Sequence, residues 1–123
     1  CINDCAYCIN RASNSVKRTA FKPNELSDIT ISLYKKGYIQ GLFLSSGVVR
    51  SPEYTMELML QTVRKLRNEY GFKRYIHLKI MPNSPIELVD EACRLADRVS
   101  INIELPTVDS LQLLAPQKTK DSI

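Results

Sequence analysis

Apolar residues recur along this chain with a helical period in four stretches. These stretches repeat their apolar residues every three or four positions, which predicts amphipathic helices. They cover residues 22–37, 51–71, 84–97 and 107–116. The second predicted helix carries the fullest apolar stripe: Met56, Met59, Leu60, Val63, Leu66 and Tyr70.

The predicted helices have recognisable start and stop signals. Gly37 and Gly71 are the expected stops of the first two helices. The Ser-Pro pairs at 51–52 and 84–85 are expected starts, with the serine as N-cap and the proline in the first turn.

Three apolar runs lie between the helices and predict strands. They are "YIQGLFLSSG" (38–47), "RYIHLKIMP" (74–82) and "RVSINIELP" (98–106). Strict alternation of helices and strands predicts an α/β domain whose parallel strands are joined by crossover helices. A barrel and an open doubly wound sheet both fit this order, and in both the active site lies at the carboxyl ends of the strands.

Composition and charge narrow the class of protein. The 123 residues suffice for one domain with its own core, and the net charge of +4 permits an anionic partner without requiring one. No apolar run approaches the roughly 18 residues that span a bilayer, and no signal peptide is visible. Clustered cysteines favour a reducing, cytoplasmic setting over a secreted disulfide scaffold.

The polar stretch 1–22 has no period and predicts a loop, and it begins with "CINDCAYC". Cys1, Cys5 and Cys8 give a C-x3-C-x2-C spacing. Thiolates suit zinc, copper(I) or iron–sulfur clusters, and three ligands in eight residues can surround one metal centre. A four-iron cluster usually takes four cysteines, so three would leave one iron open to another ligand. Structural thiols and a zinc knuckle are the alternatives, although no fourth cysteine or His lies nearby.

Two further patterns place polar groups near the strands. Ser45, Ser46 and Gly47 end the first strand, where backbone groups at the carboxyl edge are available to a ligand; a plain strand-to-helix turn is the alternative. In the other strands, residues two apart share a face. These polar faces carry His77, Lys79 and Met81 on one strand and Ser100, Asn102 and Glu104 on the next. Two polar stripes on neighbouring strands predict an interior or rim that binds a polar ligand. The alternative is that these side chains face solvent or make structural hydrogen bonds.

The remaining candidates are given structural interpretations. Cys93 is predicted to lie on the inner face of the third helix as a core cysteine and not as a fourth ligand. The basic face of the second helix, with Arg64, Lys65 and Arg67, is predicted to be solvated surface. The four basic residues of the loop are predicted to be solvated or to contact phosphates. Those four are Arg11, Lys17, Arg18 and Lys22.

With these motifs, the sequence resembles the radical S-adenosylmethionine superfamily. "CINDCAYC" matches its C-x3-C-x-aromatic-C pattern, with Tyr7 in the aromatic position. The whole chain resembles the subgroup described as putative DNA modification or repair radical SAM proteins, through "CAYCINRASN", "GLFLSSGVVRSPEYTME", "YIHLKIMP", "SINIELP" and "LLAPQKT".

The resemblance implies a role for each matching residue. Cys1, Cys5 and Cys8 would bind three irons of a [4Fe–4S] cluster, and S-adenosylmethionine would chelate the fourth. Tyr7 would lie near the adenine. Ser45, Ser46 and Gly47 replace the superfamily's Gly-Gly-Glu segment, which implies backbone contacts to the methionine group. The strand with polar contacts to ribose and methionine would carry Ser100, Asn102 and Glu104. His77 and Lys79 are further candidates for cofactor or substrate contact.

The resemblance also implies the reaction and the partners. Reductive cleavage of S-adenosylmethionine would give methionine and a 5′-deoxyadenosyl radical that abstracts hydrogen from substrate. A reductant such as flavodoxin or ferredoxin is expected, with nucleic acid as substrate. A small-molecule or peptide substrate, and a non-enzymatic zinc-binding module, are the alternatives.

The implied fold is a partial parallel βα barrel. Residues 1–123 are expected to be part of a radical SAM core domain, with 1–22 as the cluster-binding loop and 23–123 as alternating helix and strand units. The chain is expected to be a fragment that lacks the first strand and the C-terminal units, and to be inactive alone.

Overall fold

Helices and strands alternate along the chain in the predicted order. The computed structural model describes all residues from Cys1 to Ile123. The helices are α1 (Pro23–Lys35), α2 (Pro52–Arg64), α3 (Ile86–Leu95) and α4 (Val108–Leu114), and the strands are β1 (Gly41–Leu44), β2 (Tyr75–Lys79) and β3 (Arg98–Ser100). Residues 1–22 form turns and irregular backbone, as predicted. None of the helices combines the length and the apolar character needed to cross a bilayer.

The boundaries of α1 follow from local chemistry. The Glu25 carboxylate accepts the Lys22 backbone N–H at 2.9 Å, which satisfies one free donor at the helix start. At the other end, Gly37 has φ +76°. This left-handed residue lets the Tyr38 N–H reach the Leu33 carbonyl at 3.0 Å, and its own N–H donates to the Tyr34 carbonyl. The predicted stop is therefore a Schellman motif.

The start of α2 and most of its apolar stripe are confirmed. The Ser51 side chain accepts the Tyr54 N–H at 3.1 Å, and Pro52 is the first helical residue. The stripe is buried except for Tyr70, whose hydroxyl donates to Asp28 at the surface. The helix continues through one π-helical turn, Lys65–Glu69, and ends before Gly71 at φ +61°.

Two predictions about α3 are wrong. The helix begins at Ile86 with Pro85 at the N-cap position, so Ser84 does not cap it. The Ser84 hydroxyl donates to the Met81 carbonyl instead. Cys93 is exposed and is not a core residue. The residues of this segment that pack in or against the core are Leu88, Val89, Ala92, Leu95 and Ala96.

The strands form one open, parallel sheet in the order β1-β2-β3. Phe43 pairs with His77 across β1 and β2, and Lys79 pairs with Ser100 across β2 and β3. The first three helices pack on one face of this sheet and share a single buried core with it. It includes Ile31, Leu44, Met56, Leu60, Ile76, Leu78 and Ala92. The other face is left without a helical layer, and both outer strands are open edges.

Strand β3 is shorter than predicted. The alternating pattern predicts a strand to residue 106, whereas pairing ends at Ser100. The Ser100 carbonyl accepts the Ile80 N–H at 2.8 Å, and Pro82 soon follows with no N–H to donate. Asn102 and Glu104 therefore lie outside the sheet, and Glu104 has a left-handed backbone with φ +61°.

Candidate metal and cofactor site

Cys1 lies directly against the segment that follows β1. The Ile2 N–H donates to the Val48 carbonyl at 2.8 Å, which holds the start of the chain beside Gly47. A Cβ placed on Gly47 would come within 3.0 Å of the Cys1 Cβ and 3.6 Å of its sulfur. The absence of a side chain at Gly47 allows Cys1 to lie this close. Two motifs that the sequence keeps 46 positions apart therefore meet, and Cys1 remains half-buried.

A tight turn links the other two cysteines of the motif. The Cys8 N–H donates to the Cys5 carbonyl at 3.0 Å, and such a turn brings its end Cα atoms to within about 7 Å. The two side chains are placed differently. Cys5 is 5% exposed and packs with Leu111 and Ala115, while Cys8 is half-buried beside this small cluster.

Cys1 and Cys8 both line a cavity of about 780 Å³ at the carboxyl end of β1. Ser45, Ser46 and Gly47 line the same cavity. The Ser46 hydroxyl donates to the Gly47 carbonyl at 2.6 Å, and all three residues are exposed. The cysteine motif and the Ser-Ser-Gly segment thus lie side by side in the lining of one cavity, where a ligand can meet thiols and backbone groups together.

The cysteines have the right chemistry for a metal centre, but only two of the three face the same cavity. All four cysteines of the chain are free thiols. No group of three or more His, Cys, Asp or Glu side chains converges so as to hold a single metal ion. A cluster differs from a single ion, since each thiolate ligates its own iron and the sulfurs stand further apart. Two of the three thiols line the cavity, and ligation of a cluster by all three would require the Cys5 side chain to turn away from Leu111 and Ala115.

Basic residues surround the same cavity. Lys17, Arg18 and Lys22 line it, and no Asp or Glu does. Arg18 has a structural role as well, because it donates to the carbonyls of Asn10, Arg11 and Asn14 at 2.7–3.0 Å. Arg11 likewise donates within the loop, to Asn14 and to the Ala6 carbonyl. The ammonium groups of Lys17 and Lys22 have no hydrogen-bond acceptor and no carboxylate partner within ion-pair distance, so their charges are available to an anion.

The open face of the sheet carries the predicted polar stripes, paired with one another. The His77 ring stacks on Phe43 with centroids 4.7 Å apart, and its Nε2 lies 2.7 Å from the Ser100 hydroxyl. Lys79 donates to the Asn102 amide oxygen. Burial lowers the pKa of His77, and the positive charges of Arg98 and Lys79 lower it further. Met81 does not belong to this stripe, because it is 4% exposed and packs in the core.

Glu104 connects the cysteine loop to the segment after α4. Its carboxylate accepts the Tyr7 hydroxyl at 2.8 Å and the Lys118 ammonium at 2.5 Å. Burial alone would raise the pKa of Glu104, but the bonds from Lys118 and Tyr7 outweigh burial and hold it below its ordinary value. Burial raises the pKa of Tyr7, and the bond to Glu104 raises it further.

The structure does not bring all predicted site residues together. Ser100 and Asn102 are engaged by β2 residues on the open face, whereas only Glu104 reaches the cysteine loop. Sequence reasoning assigned no role to Lys118, although it lies in the stretch "LLAPQKT" that supports the family resemblance. A second cavity, of about 740 Å³, lies beyond β2 and β3 and has no cysteine in its lining.

Comparison with known proteins adds no assignment to this geometry. No protein-family model matches the chain, and no curated protein matches it. The resemblance of its cysteine motif to radical SAM enzymes therefore stays a prediction.

Proposed function

We propose that the chain belongs to the core of a radical S-adenosylmethionine enzyme, with Cys1, Cys5 and Cys8 as ligands of a [4Fe–4S] cluster. One observation carries the proposal: Cys1 and Cys8 share a cavity with Ser45, Ser46 and Gly47 at the carboxyl end of a parallel strand. Ligand sites of parallel α/β folds lie at this end of the strands.

The residues of the chain have separate tasks in this proposal. When bound, the reduced cluster supplies one electron for cleavage of S-adenosylmethionine to methionine and a 5′-deoxyadenosyl radical. Backbone groups of Ser45–Gly47 would orient the polar end of the cofactor beside the thiols. Gly47 has no side chain, which leaves room for Cys1 to lie directly against the backbone. Apolar residues on the cavity wall, such as Leu44 and Met59, exclude water from the reacting groups.

The finer fold proposed is a parallel βα barrel of which these strands form one wall. In the observed sheet, strand order follows chain order and the helices cover one face only. Barrels are wound in this way, whereas a doubly wound sheet reverses its strand order and covers both faces. The open face with Phe43, His77 and Ser100 would then line the barrel interior.

Nucleic acid is the proposed substrate class. Three cations and no carboxylate line the cavity beside the cysteines, and two of the cations, Lys17 and Lys22, have no acceptor in the protein. A phosphate backbone neutralises such lysines and releases counterions as it binds. A peptide without acidic side chains, or a neutral small molecule, would leave these charges unmatched.

Anaerobic reconstitution with iron and sulfide tests the enzyme class. The wild-type chain is expected to take up about four irons and to show the broad visible absorption of a cluster. Cys1→Ala, Cys5→Ala and Cys8→Ala should each lose both signals. The matched control is Cys93→Ala, which removes an exposed thiol that does not line the cavity. This variant should take up iron as the wild type does. A colourless protein that holds one zinc would overturn the proposal.

A further inference from the structure

We infer that Glu104, together with Lys118, is a positioning residue that holds Tyr7 and the cysteine loop against the segment after α4. The family resemblance points instead to Glu104 as a cofactor contact. The inference rests on the proposed function only for what the loop binds. The contacts themselves are properties of the chain.

The carboxylate of Glu104 is already occupied by the protein. One oxygen accepts the Tyr7 hydroxyl at 2.8 Å and the other accepts Lys118 at 2.5 Å. The Lys118 and Glu104 side chains are only 14% and 13% exposed. A charged pair so far removed from water is costly to break, because either partner alone would be left buried and uncompensated. Such a carboxylate is suited to fixing Tyr7 in place.

The backbone around Glu104 is held in the same way. Its left-handed conformation costs a non-glycine residue about 1 kcal/mol and persists only where the surroundings enforce it. The Leu105 N–H donates to the Ile103 carbonyl at 2.8 Å across this residue. Lys120 donates to the carbonyls of Ile103 and Leu105, on both sides of Glu104. The turn therefore aims the carboxylate at the loop.

Neighbouring contacts show that the whole beginning of the loop is attached here. The Ala6 N–H donates to the Leu114 carbonyl at 2.7 Å, and the Asp4 N–H donates to the Gln117 side chain at 3.3 Å. Cys5 lies between these contacts, buried against Leu111 and Ala115. Tyr7 is the residue between Cys5 and Cys8 whose side chain reaches Glu104. Loss of the hydrogen bond between Tyr7 and Glu104 should therefore expose the Cys5 side chain before the rest of the fold opens.

Alkylation of the metal-free chain with iodoacetamide, read by peptide mass spectrometry, tests the inference. Glu104→Gln, Lys118→Met and Tyr7→Phe should each raise the alkylation rate of Cys5 about tenfold, since local opening becomes easier. The exposed Cys93 gives an internal reference whose rate should not change. Matched controls are Glu87→Gln, Lys73→Met and Tyr38→Phe, which alter exposed residues whose side chains make no hydrogen bond.

Two further measurements separate positioning from a general loss of stability. Amide exchange in the buried part of α2 should stay as in the wild type, and Tyr7→Phe with Glu104→Gln should have no larger effect than either change alone. An unchanged Cys5 rate, or equal acceleration of exchange throughout the core, would overturn the inference. Reconstituted Glu104→Gln should also show an altered cluster absorption on addition of S-adenosylmethionine. If the wild type binds no iron, the proposed function fails while the alkylation result still decides the role of Glu104.

Discussion

Gly47 lies so close to Cys1 that a side chain between them would displace the cysteine. A Cβ on Gly47 would stand 3.0 Å from the Cys1 Cβ, closer than ordinary contact between such atoms. The Ile2–Val48 hydrogen bond limits how far the chain can retreat. The position of Cys1 thus depends on a residue in the segment that follows β1.

Gly47→Ala should therefore weaken metal loading without removing a ligand. We expect about tenfold lower iron affinity, the size of effect found when the support of a metal ligand is altered. Iron titration of the anaerobic protein measures it. The control is Thr19→Ala, which changes an exposed residue in the wall of the same cavity. Equal losses in the two variants would show that contact with Cys1 is not the cause.

Arg64 joins α2 to α3 and should contribute to stability. It donates to both oxygens of Glu91, at 2.5 and 2.6 Å, and to both oxygens of Glu57, at 2.7 and 3.4 Å. The side chains are about one-third exposed, so solvent screening reduces the gain. Arg64→Met should lower the free energy of unfolding by about 1 kcal/mol at pH 7, measured by urea denaturation. The exposed pair of Arg94 and Asp90 provides the control, since Arg94→Met should cost only about 0.3–0.5 kcal/mol.

The same ion pairs predict a pH dependence. Hydrogen bonds from Arg64 hold the pKa of Glu57 and of Glu91 below their ordinary value of 4.5. A carboxyl group with a lowered folded pKa stabilises fully above its unfolded pKa, and this stability is lost as pH falls through the folded value. The difference between wild type and Arg64→Met should shrink below about pH 4. A difference that is constant from pH 7 to pH 3 would contradict the assignment.

Arg67 closes the end of the same helix and should matter more. Its guanidinium donates to the carbonyls of Phe72, Arg74 and Leu95 and to the Asp97 carboxylate, all at 2.7–2.9 Å. Arg67→Met should lower the free energy of unfolding by about 2–3 kcal/mol, because these acceptors lose a charged donor. Arg67→Lys should rescue little of it, since one ammonium cannot span four acceptors. Full rescue by lysine, in urea denaturation at pH 7, would refute this role.

The sequence predicted the helices well because local signals define them. The Gly37 stop, the Ser51 cap and the apolar stripe of α2 depend on residues within a few positions of one another. The basic face of α2 was predicted as solvated surface, and this is wrong for Arg64, Lys65 and Arg67, whose side chains all bind partners on the protein. Their partners on α3, on the loop after α2 and beside β3 become visible only when the helices pack.

The errors in β3 and α3 have a shared physical origin. Alternation in "SINIE" satisfies the pattern of a strand, but a strand also needs a partner, and pairing with β2 ends at Ser100. On α3, several apolar stripes overlap, and only contact with α2 and the sheet decides that Ala92 faces inward and Cys93 outward. The cysteine motif and the Ser-Ser-Gly segment can be recognised in the sequence, and the prediction of a cofactor site there stands as a prediction. The contact of Glu104 with Lys118 could not be predicted, since no local pattern encodes it.

Lys17 and Lys22 provide the test of the proposed substrate class. Both line the cavity, which has no Asp or Glu in its lining, and neither ammonium group has an acceptor, so a bound phosphate backbone should neutralise them. Removing both with Lys17→Met and Lys22→Met should weaken binding of a single-stranded oligodeoxynucleotide and reduce the salt slope by about 0.7 per lysine. Fluorescence anisotropy between low and moderate salt measures both quantities.

The matched control for this experiment keeps the net charge equal. Lys36→Met with Lys73→Met also removes two exposed lysines, but neither residue lines the cavity. If binding follows the cavity, only the first pair lowers the slope, because counterion release counts the phosphates that the protein actually neutralises. Equal effects of the two pairs would indicate attraction by net charge alone. A wild-type affinity that does not change with salt would favour a small-molecule or peptide substrate for the same cavity.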